Sequence, residues 1–310
     1  MQVFSTIIPI FAVVILGLLA SKKGFMPTEF LGPANRLVYY LAIPALIFRS
    51  VAKASFRTEF NPTVLAVTLS SAVLAYLGAW IVARSARWPQ NRIGTFIQCA
   101  AHGNHGYIGL PVSFYFLGES GLAKASILAG FLMILQNVLS VLALQSYSVT
   151  DDHRGKRFRI VAEKLIQNPV IVSAFAGVLA SLYGLQLPSV VQRFIDILSG
   201  LAPPMSLLLI GASLSFTAMR GKLVSLLGAA LIKIVLLPVV GLLLFLELDV
   251  ATVDALPALI LLATPTATVA YIMSREMHGD PEFAGTAVSS STLLSAVTYM
   301  VWLTVVGNGP

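Results

Sequence analysis

The stretch Gly103-Asn104-His105-Gly106-Tyr107-Ile108-Gly109-Leu110-Pro111 lies inside a segment that is otherwise apolar enough to cross a lipid bilayer. It holds three glycines, a proline and an amide side chain within nine residues. This composition disfavours a continuous helix, because glycine costs about 1 kcal/mol and proline about 3 kcal/mol in a helix interior. Broken backbone at membrane depth is tolerated where it is buried in protein or lines a watery cavity. The stretch therefore predicts an interrupted transmembrane helix, a feature that recurs in transporters.

The composition of the whole chain supports a membrane protein. Hydrophobic residues make up 57% of the 310 residues and charged residues 11%, against roughly 45–50% and 25% in soluble domains. The net charge of +7 is typical of basic cytoplasmic loops in a polytopic membrane protein. We therefore expect membrane lipid as a partner and no nucleic acid.

The apolar residues form blocks of about twenty, the length that a helix needs to cross the hydrocarbon core. These blocks predict an all-α integral membrane protein with ten transmembrane helices. The predicted spans lie near 3–20, 35–51, 62–84, 93–116, 121–147, 168–184, 190–216, 221–246, 252–274 and 283–306. The N-terminus runs into the first block without a basic region or a clear cleavage site, which predicts a first span and not a removable signal.

The distribution of lysine and arginine between the loops predicts the orientation. An outside N-terminus places fourteen of these residues on the inner side and five on the outer side. The inner set is Lys22, Lys23, Arg36, Arg84, Arg87, Arg92, Arg154, Lys156, Arg157, Arg159, Lys164, Arg220, Lys222 and Arg275, and the outer set is Arg49, Lys53, Arg57, Lys124 and Arg193. Because positive charge accumulates in cytoplasmic loops, we expect the N-terminus and the C-terminus outside.

A polar, basic loop divides the chain into two sets of five spans. We expect a first five-helix repeat at 1–147, a cytoplasmic linker at 148–167 and a second repeat at 168–310, all in one transmembrane domain. An odd number of spans in each half inverts the second repeat relative to the first. The break in span 4 has a counterpart at 264–268 in span 9, and such paired interruptions point to a transporter binding site.

Asn104 and two prolines are the candidate binding elements. An amide in hydrocarbon costs several kcal/mol unless it is hydrogen-bonded, so Asn104 either satisfies backbone groups that the break frees or donates to a ligand. Pro111 and Pro265 are each expected to start the second half of an interrupted helix, because proline suits the first helical turn. Two such positive helix starts near mid-membrane suit an anion. The alternative is a plain proline kink.

Other polar residues in the spans leave alternatives open. His102 and His105 either carry protons, because imidazole titrates near neutral pH, or stay neutral and hydrogen-bonded inside the bundle. Lys233 either snorkels to the interface or pairs with a backbone carbonyl. Gln136 and Asn137 in span 5, and Gln145 nearer its end, are expected to link helices by hydrogen bonds. The sequence has no metal-ligand, nucleotide-binding or catalytic-serine motif, so we expect no metal, no cofactor and no enzyme.

Five motifs follow one another along nearly the whole chain. They are Asn35 to Leu46 with Pro44, Asn104-x-Gly106-x-x-Gly109-x-Pro111, Gln167-Asn168-Pro169, Leu201 to Leu214 with Pro203-Pro204, and Pro265 to Asp280. In this order they resemble the auxin efflux carrier family of membrane transporters, in its bacterial branch. The chain lacks the long central hydrophilic loop of some plant members.

The resemblance implies two inverted five-helix repeats, a scaffold part and a transport part, and crossed, broken helices 4 and 9. Members move organic anions such as auxin, malate or malonate, which implies a secondary carrier that works by rocking or elevator movement in a bacterial inner membrane. Substrate would lie beside the crossing, where the candidate residues are Asn104, Gly106, Gly109, Pro111, Thr264, Pro265, Thr266 and Pro44.

Several alternatives remain open. A sodium-coupled or proton-coupled symporter of the bile-acid-symporter-like fold is one, and His102 and His105 are its candidate proton carriers. A non-transporting membrane sensor is another. Dimers occur in such folds, so a homodimer is a further expectation.

Overall fold

A computed structural model describes residues 2–86, 88–147, 167–216 and 222–307, and these residues are mainly helical. In chain order the helices are α1 (Gln2–Lys22), α2 (Thr28–Lys53), α3 (Phe56–Glu59), α4 (Pro62–Ser85), α5 (Gln90–Ala101), α6 (His105–Ser146), α7 (Pro169–Leu182), α8 (Ser189–Ala212), α9 (Leu223–Glu247), α10 (Thr252–Leu262), α11 (Val269–Glu276) and α12 (Pro281–Gly307). The predicted all-α fold is confirmed. Most of the predicted linker at 148–167, together with Arg87 and Arg220, lies outside the described residues.

Seven helices of the described part are long and apolar enough to cross a membrane, namely α1, α2, α4, α6, α8, α9 and α12. The shorter helices α7 and α10 are also apolar. Predicted spans 4 and 9 are each divided between two helices, with α5 and the start of α6 forming one and α10 and α11 the other. Span 5 continues α6 beyond Gly118, whose φ of 71° and ψ of −161° interrupt the helical geometry.

Asparagine and proline start two of the helices in the same way. The Asn168 side chain accepts hydrogen bonds from the N–H groups of Val170 and Ile171, at 3.0 and 3.4 Å, and Pro169 occupies the first turn of α7. Asn61 caps α4 with the same geometry. The side chain satisfies N–H groups that the helix leaves unpaired, and proline has no N–H to satisfy. Asn-Pro therefore starts α4 and α7 with the same side-chain cap.

Asp280 ties the start of α12 to two other helices. Its carboxylate accepts from the Phe283 N–H at 3.0 Å, from Lys222 at 3.0 Å and from Arg92 at 3.2 Å. Burial raises the pKa of Asp280, but the hydrogen bonds from Phe283, Lys222 and Arg92 outweigh this and hold the pKa below its usual value. The ionised carboxylate therefore stabilises this end of the structure at neutral pH.

Three wide turns of π-helix precede prolines within the long helices. The turns are Val38–Ala42, His105–Gly109 and Ile232–Leu236, and the prolines are Pro44, Pro111 and Pro238. A proline ring removes one backbone donor and collides with the carbonyl four residues earlier. The wider turn relieves that collision, so these prolines distort their helices without ending them.

The helices pack as two groups. In the first bundle α1 packs against α8, and α2 packs against α7 and α8. The second bundle joins α4, α5, α6, α9, α10, α11 and α12. Each bundle draws helices from both halves of the chain. The two bundles touch through contacts of α6 with α2 and α7 and of α1 with α12.

Two glycines allow α1 and α8 to approach closely. A Cβ atom on Gly211 would overlap the backbone carbonyl of Val14, and one on Gly17 would overlap the carbonyl of Leu208. Small residues let transmembrane backbones pack directly on each other. The first bundle therefore depends on the absence of side chains at these two positions.

We expect Gly211→Ala to lower the free energy of unfolding by about 1–3 kcal/mol, because overpacking forces the two backbones apart. Gly200→Ala is the matched control on the same helix, since an added Cβ there meets nothing within 4 Å. Thermal unfolding of the purified protein in detergent measures both variants. Equal melting midpoints for the two would contradict the proposed close contact.

Candidate functional site

The two predicted breaks lie side by side and hydrogen-bond to each other. The N–H of Asn104 donates to the Pro265 carbonyl at 2.8 Å, and the N–H of Ala267 donates to the His102 carbonyl at 2.9 Å. Gly103 and Thr266 thus form a single antiparallel bridge. We call this pair of bonded breaks, residues 102–104 and 263–268, the crossing. Two helices, α5 and α10, end at the crossing, and α6 and α11 begin there.

The two predicted prolines differ in whether they start a helical segment beyond the crossing. Helix α6 begins at His105, because the Asn104 side chain caps its first turn, and Pro111 lies in the α-helical part that follows. Helix α11 begins at Val269. Pro265 precedes it in the bridge, where its carbonyl accepts the Asn104 N–H. Pro111 lies in the first turn of the α-helical segment Leu110–Ser146, as predicted, whereas Pro265 lies in the bridge, so the prediction that Pro265 starts a half-helix is wrong.

Asn104 is buried at the crossing with one half of its amide free. Its Oδ1 accepts from the Tyr107 N–H at 3.3 Å, and its backbone carbonyl accepts from the N–H groups of Ile108 and Gly109. Its Nδ2 has no hydrogen-bond partner in the described part of the protein, although the residue is only 4% exposed. The oxygen therefore satisfies the broken backbone, while the nitrogen is a buried donor without an acceptor.

Gln136, from the second part of α6, supports the first break. Its Oε1 accepts from the Gly103 N–H at 3.0 Å and lies 2.9 Å from His105 Nε2, and its Nε2 donates to the Ala101 carbonyl at 3.1 Å. The backbone bonds orient the amide, so His105 Nε2 carries a proton and donates to Oε1. The expectation that Gln136 links helices is confirmed, and its partners are backbone groups of the break. The same expectation for Asn137 is wrong, because its amide donates to the Met133 carbonyl of its own helix at 2.7 Å.

The two histidines belong to a buried polar layer. His102 Nδ1 lies 2.8 Å from Ser140 Oγ, which lies 2.7 Å from the hydroxyl of Tyr76 in α4. His105 Nδ1 lies 3.4 Å from Thr264 Oγ1, which donates its proton to the Leu261 carbonyl at 2.6 Å. Both histidines have hydrogen-bond partners inside the second bundle. Neutral His102 is accommodated by Ser140, whereas neutral His105 donates through Nε2 to Gln136 and has no proton between its Nδ1 and Thr264 Oγ1.

The threonine hydroxyls of the second break donate hydrogen bonds to backbone carbonyls. Thr264 caps the end of α10 through the Leu261 carbonyl, as described above. Thr266 Oγ1 donates to the Cys99 carbonyl of α5 at 2.8 Å, and its N–H donates to Ser291 Oγ of α12 at 3.1 Å. These hydroxyls satisfy helix ends that the breaks leave open.

The first break faces the first bundle. A Cβ atom on Gly106 would lie 3.7 Å from the Cδ1 atom of Ile43, the residue before Pro44 in α2. The hydroxyl of Tyr107 donates to the Asn35 carbonyl of α2 at 3.4 Å. The start of α6 also contacts α8. The crossing is therefore carried by the second bundle and presented to the first.

Lys233 is a further polar residue at the crossing, although it was not predicted as a site residue. Its side chain is fully buried, and its Nζ donates to the Leu262 carbonyl at the end of α10, at 2.8 Å. The expected pairing with a backbone carbonyl is confirmed, and snorkelling to the interface is excluded by the burial. The sequence indicates Lys233 as unusual because it is a lone lysine in an apolar span. Its contact with the crossing follows only from the packing of α9.

Comparison with known proteins supports one family over nearly the whole chain. Residues 2–150 and 153–303 match the model of a family described as "Membrane transport protein". A "Putative malonate transporter" of Rhizobium meliloti (strain 1021) is 24% identical over 316 residues, which cover 99% of this chain and 97% of that protein. An "Uncharacterized transporter" of Methanothermobacter thermautotrophicus is 23% identical over 300 residues, covering 96% of each. Another, from Methanocaldococcus jannaschii, is 20% identical over 295 residues, covering 93% of this chain and 94% of that protein.

Proposed function

Because this chain belongs to the membrane transport protein family, the family of the auxin efflux carriers, we propose that it is a secondary carrier of small organic acid anions. The chain is a multi-pass membrane transporter and not an enzyme. The name of the relative from Rhizobium meliloti supports organic acids as the substrate class, with malonate as the first candidate. The substrate is bound beside the crossing.

The free amide donor of Asn104 is the observation that carries this proposal. Asn104 Nδ2 is buried without an acceptor, and a carboxylate supplies one. The positive starts of α6 and α11 lie at the same crossing, where the negative ends of α5 and α10 offset their partial charge. Gly106 leaves its part of the start of α6 without a side chain, and the nearest atom to its Cβ position is Ile43 Cδ1 at 3.7 Å, whereas Leu261 and Thr264 fill the space beside Gly109.

We propose that the whole chain forms ten spans, arranged as two inverted repeats at 1–147 and 168–310. The order helix, break and helix recurs in α5–α6 and in α10–α11, which supports the repeat. The excess of lysine and arginine in the predicted inner loops supports termini outside a bacterial inner membrane.

Transport in this proposal moves the second bundle, which carries the crossing, against the first. An ion pair joins the bundles at one end: Arg49 of α2 contacts Glu119 of α6 at 2.7 Å and Asp196 of α8 at 2.6 Å. Glu119 follows the interruption at Gly118, where α6 changes direction. The contact between Arg49 and Glu119 holds that end closed and has to open during the transport cycle.

Transport into proteoliposomes tests the proposal directly. We expect uptake of radiolabelled malonate, malate or indole acetate by the natural protein, and a loss of about tenfold or more in Asn104→Ala, because one hydrogen bond to a charged group is lost. Asn137→Ala is the control, since that amide donates to the Met133 carbonyl of its own helix. Unchanged uptake by Asn104→Ala would exclude the assigned site, and no uptake of any anion by the natural protein would exclude the proposed function.

A proton-coupled carrier is the second candidate function. With two protons on its ring, His105 would donate through Nε2 to Gln136 and through Nδ1 to Thr264, so the charged form also has acceptors. The membrane potential alone does about 2.3 kcal/mol of work per charge per 100 mV, enough to move an anion without a partner ion. A reversal potential that follows pH in the same proteoliposomes supports proton coupling, and one that follows sodium supports the sodium-coupled alternative.

A further inference from the structure

Lys233 contacts both breaks of the crossing. Its Nζ donates to the carbonyl of Leu262, the last residue of α10, and its Cε lies 3.2 Å from the position of a Cβ atom on Gly103. The side chain is fully buried. Within the described residues, the Leu262 carbonyl is the one acceptor of its ammonium, and no carboxylate lies within ion-pair distance of it. The crossing thus contains a buried lysine whose amine has no counter-ion among these residues, so a bound anion is the group that would favour its protonated form.

The helix ends alone do not give the crossing a net positive charge. Each helix start carries about +0.5 and each helix end about −0.5 of an elementary charge. Two starts, of α6 and α11, and two ends, of α5 and α10, meet at the crossing, so their partial charges cancel. A crossing with this balance has positive and negative surfaces at close range and no overall preference for an anion.

The two negative ends are capped by different groups. The end of α5 is capped at the Ala101 carbonyl by the neutral amide of Gln136. The end of α10 is capped at the Leu262 carbonyl by the ammonium of Lys233. The ammonium more than compensates the partial negative charge of one helix end. The remaining positive charge therefore comes from Lys233 and not from the helix starts.

Lys233 and Asn104 make no hydrogen bond to each other. The open side of Gly103 faces Lys233, His105 and Thr264. The ammonium of Lys233 donates to the Leu262 carbonyl, and the Asn104 amide nitrogen has no partner in the described part of the protein. Lys233 therefore acts on a ligand at Asn104 through its field and through the position of α10, without contact.

We infer that Lys233 gives the crossing the net positive charge that selects an anion, and that it is a positioning and specificity-determining residue of the site. This inference rests on the proposed function, since it concerns the same anion. The low dielectric of the surroundings keeps the field of the ammonium effective over the width of the bridge. Neutral compounds of the same shape gain nothing from that field.

Binding of malonate and of the neutral malonamide to the detergent-purified protein tests the inference. In Lys233→Met we expect malonate affinity to fall about tenfold, because the field of one unit charge is lost, while malonamide binding stays the same. Lys23→Met is the matched control, because it removes one exposed positive charge far from the crossing in sequence. Malonate affinity in a folded Lys233→Met variant equal to that of the natural protein would overturn the inference.

Chemical rescue keeps the test decisive if Lys233→Met does not fold. Lys233→Ala removes a fragment that corresponds to n-propylammonium, so we expect added n-propylammonium to restore malonate binding, and n-propanol at equal concentration not to. Malonate binding by Lys233→Ala that does not respond to n-propylammonium would contradict the inference. These outcomes leave the proposed function standing as long as the natural protein transports an anion, whereas absence of any transport by the natural protein removes both.

Discussion

Gly103→Ala is expected to lower the free energy of unfolding by about 3 kcal/mol and to abolish transport. The added Cβ would overlap Thr264 Oγ1 and would lie 2.7 Å from His105 Cε1 and 3.2 Å from Lys233 Cε. Overpacking of a filled site costs about 1–3 kcal/mol when the neighbours can give way. Here each neighbour is held by its own hydrogen bond, to Leu261, Gln136 and Leu262 respectively. The methyl group can therefore be accommodated only if the two breaks separate.

Separation of the breaks removes more than the contact itself. The bonds from Asn104 to Pro265 and from Ala267 to His102 hold the two segments together, and both are lost when the bridge opens. Backbone groups buried without partners cost about 1–3 kcal/mol each. The expected result is a less stable protein without a formed anion site.

Gly106→Ala is the matched control, because Gly106 lies three residues further along the chain, in the first turn of α6. Its added Cβ would meet only the Cδ1 atom of Ile43, at 3.7 Å, which is an ordinary contact. We expect its free energy of unfolding to stay within about 1 kcal/mol of the natural value, because alanine is also the better helix former. Thermal unfolding with and without malonate measures both variants. If Gly103→Ala were as stable as Gly106→Ala, the bridge would not determine stability.

The sequence predicted the breaks because their signal is local. Glycine, proline and an amide within an apolar span interrupt the helix wherever that span packs, and the structure has interruptions at 102–104 and 263–268. The capping of α7 by Asn168 followed from equally local chemistry. Composition alone sufficed for the membrane class, since apolar blocks of this length have few other uses.

The helix start at Pro265 was predicted wrongly because it depends on contacts between the breaks. Proline at 265 suits a first turn, yet its carbonyl is bound by Asn104, which holds the residue in the bridge. Pro111 lies in the first turn of an α-helical segment, as predicted, but the wide turn His105–Gly109, capped by Asn104, precedes it. Local propensity is a weak guide when a long-range hydrogen bond competes with it.

For the same reason, the sequence alone could not predict the partners of two residues that hold the crossing together. Gln136 and Lys233 lie in spans 5 and 8, and each reaches a carbonyl at the end of a half-helix in another span. The sequence indicates only that a buried amide and a buried ammonium need partners. Which backbone groups they bind follows from the packing of α6 and α9 around the crossing.

Gln136→Leu is expected to have the second large effect, a loss of several kcal/mol in the free energy of unfolding together with the loss of transport. Leucine fills a similar volume but leaves the Gly103 N–H, the Ala101 carbonyl and His105 Nε2 without their partner. Each buried polar group without a partner costs about 1–3 kcal/mol. Gln136 is fully buried, so bulk water does not reach these groups to replace the lost hydrogen bonds.

Asn137→Leu separates this effect from a general loss of amides in α6. Asn137 is the adjacent residue, is only partly buried, and donates to the Met133 carbonyl one turn earlier in its own helix. That carbonyl keeps its helical partner, so we expect a change within about 1 kcal/mol. Thermal unfolding in detergent and malonate uptake in proteoliposomes measure both variants. An equal loss in the two would show that the amide of Gln136 is not what holds the first break.

Gln136→Glu then distinguishes support of the backbone from the hydrogen bond to His105. Glutamate keeps an acceptor for the Gly103 N–H and for His105 Nε2 but has no donor for the Ala101 carbonyl when it is ionised. An ionised carboxylate beside His105 would also offset the positive charge of the crossing. We therefore expect a folded variant with weaker malonate binding, because the structural and the electrostatic requirements of the site are met by different groups. Malonate binding at the natural affinity in Gln136→Glu would contradict the need for a positively charged crossing.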